Sequence, residues 1–71
     1  MNTILVKTLP IRLGQFLKFA DMVQDGIEAK IHIREGKVKV NEEVETRRGK
    51  KLQHNDVVRL FDMEAQVVLD Q

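Results

Sequence analysis

Seventy-one residues make one small domain, residues 1–71, with no room for a second. Cysteine, serine, tyrosine and tryptophan are all absent, which excludes disulfides, thiolate metal sites, thiol and serine nucleophiles, and most tools for stacking on bases. Hydrophobic residues at 42%, charged residues at 32% and a net charge of +1 describe a globular chain, and one too small to wall off a deep pocket reads as a binding module. In chain order, the β-branched run Thr3–Lys7 reads as a short strand. Pro10 suits the first turn of a helix, where its missing N–H costs nothing. Leu13, Phe16, Leu17 and Ala20 fall on one face of that helix, with Gly14, Lys18 and Asp21 on the opposite side. A glycine inside a helix costs about 1 kcal/mol against alanine, so Gly14 points to close approach of another element.

Asp25 with Glu28 three residues later predicts an N-cap, and the helix it opens should run to about Glu35. Gly36 then supplies the left-handed position after its end. Ala29 and Ile33 share one face, while Ile27 and Ile31 share another, so the helix either packs on two sides or leaves an apolar edge exposed. Val38-Lys39-Val40 alternates as a strand does, and Glu43-Val44-Glu45 returns after Asn41-Glu42. Those two residues fit a two-residue turn, or a wider one because glutamate resists positive φ. Arg47-Arg48-Gly49-Lys50-Lys51 is a basic loop followed by Leu52, a lone apolar anchor. Asn55-Asp56 marks a turn before the strand Val57–Phe61, and Gln66–Leu69 is the final strand. The order predicts an α+β domain.

The charge is polarised along the chain. Residues 26–51 hold eight cations against five glutamates, whereas residues 52–71 hold Arg59 against four acids. Lys30, Arg34 and Lys37 form a stripe along the second helix and its exit, and Lys39 and the 47–51 cluster follow. A helix stripe beside a basic loop can bracket a phosphate backbone; the bland alternative is a solvated face neutralised by the glutamates. Phe16, Phe19 and Phe61 all read as core rather than as base-stacking platforms, which favours folded over single-stranded nucleic acid. His32 reads as a half-buried packing residue and His54 as part of a polar turn, and neither has metal-ligand spacing. Glu42, Glu43 and Glu45 read as exposed charge at a hairpin tip that restrains attraction to a polyanion. No run approaches the ~20 apolar residues of a membrane span. The first residues lack the pattern of a signal peptide, and the cytoplasm is the expected location.

Arg12-Leu13, Leu17, Ala29 with Ile33, Gly36-Lys37-Val38-Lys39-Val40-Asn41, Val44 and Asp56-Val57-Val58 resemble the S4-type RNA-binding domain, whose core is the αL motif. The stand-alone bacterial versions, the YbcJ and YaaA group, are the closer likeness, through Leu13–Lys18, Glu28-Ala29-Lys30, Arg34-Glu35-Gly36 and Glu45–Leu52. The likeness covers about residues 11–60. It implies two N-terminal helices packed on a small, mainly antiparallel sheet, and binding of structured RNA, ribosomal RNA included. On matching positions it points to Arg12, Lys30, Arg34, Lys37, Lys39, Arg47, Arg48, Lys50 and Lys51, to which Lys18 on the first helix is added. Asp25-Gly26 stands where the broad family often has Ser-Arg, Arg12-Leu13-Gly14 where it has Arg-Leu-Asp, and Asn41-Glu42 where it has Asn-Gly. The expected protein is a bacterial, ribosome-associated RNA-binding monomer, without catalysis, cofactor or metal, and without a membrane partner. The alternative is a protein-interaction adaptor that docks through the Ile27/Ile31 edge and the acidic last third.

Overall fold

The computed structural model describes residues 2–70. Its strands are β1 (Asn2–Val6), β2 (Ile11–Arg12), β3 (Val38–Val40), β4 (Glu43–Val44), β5 (Lys51–Leu52), β6 (Val57–Leu60) and β7 (Met63–Leu69). Its helices are α1 (Leu13–Phe19) and α2 (Gly26–Arg34). The large sheet has the order β1-β7-β6-β3-β4. All its neighbours are antiparallel except β1 and β7, which run parallel with Asn2 beside Ala65 and Val6 beside Leu69. A second ladder pairs β2 with β5, Ile11 opposite Leu52 and Arg12 opposite Lys51.

Strand alternation decides what the sheet buries. Val38 and Val40 are buried with Lys39 exposed between them, and Val58 and Leu60 with Arg59 between them. The inward residues join Leu13, Phe16, Leu17, Ala29 and Ile33 of the helices in a single core. Leu52 is fully buried in that core, as an anchor after the basic loop should be.

Both helices end in the same motif. After α2, Gly36 takes φ +75°, with its N–H donated to Ile33 and that of Lys37 to His32. After α1, Asp21 takes φ +60°, with its N–H donated to Lys18 and that of Met22 to Leu17. These are paired closing hydrogen bonds of the Schellman type, which want glycine at the left-handed position. Asn41 and Glu42 both have positive φ, 52° and 73°, and Val40 faces Glu43, so the hairpin turn has two residues and is not widened.

Several expectations change. Pro10 lies outside any helix, because Ile11 and Arg12 are held extended by β5 and α1 opens only at Leu13. Lys7 follows β1 rather than closing it, and β7 begins three residues before Gln66. Of the three phenylalanines only Phe16 is core. Phe19 is 61% exposed and Phe61 55% exposed. Phe61 occupies the tight turn between β6 and β7 at φ +57°, which takes its ring off the buried face of the strand.

Candidate nucleic-acid interface

The basic loop is docked on the start of α1. The first N–H groups of a helix lack partners inside it. Here Leu13 N–H donates to the Lys50 carbonyl at 2.8 Å, and Gly14 N–H to the Arg48 carbonyl at 3.1 Å. A turn hydrogen bond from Lys50 N–H to the Arg47 carbonyl, 3.2 Å, folds the loop between these two anchors. With those carbonyls committed to the helix, the side chains of Arg47, Arg48 and Lys51 stand exposed.

Gly14 makes the docking possible. A Cβ at that position would lie 2.7 Å from Arg48 Cγ and 3.3 Å from its Cδ. The aliphatic stem of Arg48 therefore crosses α1 where a side chain is missing. Beside it lies a groove of about 290 Å³, edged by Arg12, Lys18 and Arg48 over Gly14, Gly26 and Ala29. Gly26 opens the far side, with Lys18 Nζ 3.9 Å from the position its Cβ would take. Three cations around a floor of small residues make a place where a phosphate can approach closely. A neighbouring shallow cleft is lined by Arg47, Gly49, Lys50 and Lys51.

From α2 the groove takes Gly26 and Ala29. Asp25 caps that helix, its carboxylate accepting Glu28 N–H at 2.8 Å, while the Glu28 carboxylate accepts Gln24 N–H at 3.3 Å. Lys30 and Arg34 follow Gly26 at successive turns of the same face, and both are exposed. Lys37 is placed differently. It pairs with Glu35 at 3.3 Å and lies 5.8 Å from the centre of the Phe61 ring. Lys39 points to the side of the sheet away from the helices, opposite Arg59, which pairs with Glu64 at 3.7 Å. The expected set thus divides. Arg12, Lys18, Lys30, Arg34, Arg47, Arg48, Lys50 and Lys51 gather around α1, α2 and their loop, while Lys37 and Lys39 stand apart.

Glu45 departs from its expectation. It is no freely solvated hairpin charge: its side chain is 13% exposed and binds Arg47 in three places. Hydrogen bonds from the Arg47 side chain are the chief reason its carboxyl is held down to about 2, with the Arg47 backbone N–H adding to them and burial opposing. Residue spacing alone conceals this, since glutamate and arginine two apart read as ordinary surface. His32 is half-buried as expected, its ring edge-on to Phe61 at 5.1 Å. His54 accepts the Leu69 N–H on Nδ1 at 3.1 Å. Among the described residues no three of His, Cys, Asp and Glu converge as metal ligands. Among them, too, no helix is long and apolar enough to cross a membrane.

A short helix pair, a hairpin and a basic loop on a mixed sheet define a family, and residues 4–68 match the model of the S4 domain. The chain belongs to the S4 domain family. It is 49% identical over 59 residues to a probable ribosome maturation protein, RlbA, of Bacillus subtilis (strain 168), covering 83% of each chain. Its fold is similar to the solution structure of YbcJ from E. coli, with a TM-score of 0.74 and 36% identity, covering 96% of this chain and 87% of that one. That structure is described as showing an αL motif involved in RNA-binding.

Proposed function

We propose that this chain is a non-catalytic RNA-binding module, acting in the cytoplasm as a single-domain monomer on folded RNA, with ribosomal RNA or an assembly intermediate as its target. One observation carries the reading. The 47–51 loop is fastened by its own carbonyls to α1, so that Arg48 joins Arg12 and Lys18 around one groove while Arg47, Lys50 and Lys51 line the cleft beside it. Phosphates need cations at fixed spacings but carry no base identity, which suits recognition of shape over sequence. The relatives support it: one is named for ribosome maturation, and the other is described through a motif involved in RNA-binding.

The exposed phenylalanines do not turn the module into a single-strand reader. Phe61 is flanked by His32 and Lys37, and Phe19 borders a separate shallow cleft with Pro10 and Ile11. Neither lines the cationic groove. The adaptor reading has one observation in its favour, since Ile27 and Ile31 remain 71% and 48% exposed.

Titrating the protein with an RNA stem-loop and an unstructured oligomer of equal length, across a salt series, tests the proposal. The stem-loop is expected to bind more tightly, with affinity falling steeply as salt rises. Tighter binding to the unstructured strand would refute the preference for folded RNA, and salt-insensitive or absent binding would favour the adaptor.

A further inference from the structure

Glu45 starts from a fixed point, because its N–H donates to the Val38 carbonyl on β3 at 3.0 Å. From there its carboxylate accepts three hydrogen bonds from one residue. Arg47 donates its backbone N–H at 2.9 Å, its Nε at 3.0 Å and its Nη2 at 3.2 Å. The acid is nearly covered while the arginine side chain is 72% exposed. A guanidinium is a planar fork of five donors, and a carboxylate gripping the Nε edge leaves the Nη1 donors and the outer Nη2 donor free. The same carboxylate therefore fixes the backbone, the plane and the open edge of Arg47.

We propose that Glu45 is a positioning residue for polyanion binding, holding Arg47 so that the free edge of its guanidinium meets a phosphate. The proposal rests on the RNA-binding reading above and deepens it, because it gives an anion a favourable part in binding another anion. A solvated glutamate near a basic loop would only repel RNA. Glu45 repels it too, but the attraction of an oriented Arg47 outweighs that repulsion. Glu45 stays charged across the pH range of binding experiments, since its carboxyl is held down to about 2.

The test uses the full chain, a synthetic RNA stem-loop, and four proteins: unsubstituted, Glu45→Gln, Arg47→Ala, and both together. Glutamine keeps an acceptor for the backbone N–H but loses the charged two-point grip. Glu45→Gln is expected to weaken binding by about two- to fivefold, the scale of one exposed charge pair, although it makes the protein more positive. In the Arg47→Ala background the same change should leave affinity unchanged or tighten it. Glu45→Gln tightening binding to the otherwise unsubstituted chain would overturn the proposal. Equal weakening in both backgrounds would also overturn it, by showing that Glu45 acts on the loop as a whole. Failure of the unsubstituted chain to bind the stem-loop would remove the RNA-binding reading and this inference together. Binding by that chain with any wrong sign for Glu45→Gln removes the inference alone.

Discussion

At Gly14 a Cβ would meet the Arg48 side chain at Cγ, 2.7 Å, and Cδ, 3.3 Å, whereas the nearest loop backbone atom, the Arg48 carbonyl oxygen, lies at an ordinary 3.6 Å. Gly14→Ala should therefore separate folding from binding. Alanine gains less than the about 1 kcal/mol of a helix interior, because Gly14 lies in the first turn of α1, and displacing Arg48 at Cγ offsets that gain, so the urea midpoint should change little. RNA affinity should fall, because Arg48 leaves the rim of the groove; paired urea and RNA titrations read both effects. Glu45 makes a second prediction at this scale. Its carboxyl is lowered from 4.5 to about 2 by hydrogen bonds from Arg47. A group lowered on folding stabilises the protein above its unfolded value, and that contribution disappears as pH falls through its folded value. The unsubstituted protein should exceed Glu45→Gln in urea midpoint at about pH 6, and the gap should close as pH falls from 4.5 towards 2. A gap independent of pH would show that the carboxylate charge is not what stabilises the turn.

Among the elements, α2 carries its own instructions. Asp25, Glu28 and Gly36 mark its two ends in the sequence, and the structure finds the cap and the closing motif at those residues. Asp25→Ala should cost about 0.5–2 kcal/mol, seen as lower thermal and urea midpoints, since the Glu28 N–H loses its acceptor. The start of α1 is not legible in the same way, because Arg12 makes no side-chain cap and the partners of Leu13 and Gly14 lie in a loop more than thirty residues away. The two-residue strands β2 and β5 are too short for periodicity to show, and their pairing is what keeps Pro10 outside the helix. Phe61 misleads for another reason. It completes an apolar run from Val57, but the chain reverses there without glycine or asparagine to announce the turn. The basic character of the site is readable from charge spacing. Its division, with Lys39 on the other side of the sheet, follows only once strand alternation is fixed in space.

Over the whole molecule, the proposed function has the cations of α1, α2 and the loop acting on a polyanion as a group, so removing two should alter slope as well as affinity. Arg47→Ala/Arg48→Ala should weaken binding to all RNA sequences nearly alike, because phosphates carry no base identity. The log–log salt slope should become shallower by roughly 0.7–0.9 for each phosphate that the variant no longer neutralises. Stability should fall modestly, because Arg47→Ala leaves the Glu45 carboxylate without its side-chain donors, and a urea titration checks that the double variant is still folded. A folded double variant with the original slope would move the site elsewhere. The parallel pairing of β1 with β7 closes the large sheet across nearly the whole described chain. The ladder joins residues 63 positions apart, and an ion pair of Lys7 Nζ with Asp70 at 2.8 Å spans the same interval. During synthesis β1 emerges early and finds no partner in its sheet until the segment after Phe61 has left the exit tunnel. The Ile4 and Val6 side chains must wait without their neighbouring strand while both helices and the basic loop are already outside. Completion of the sheet thus waits for β7, and a nascent chain stalled before Met63 presents its cations on an unfinished scaffold.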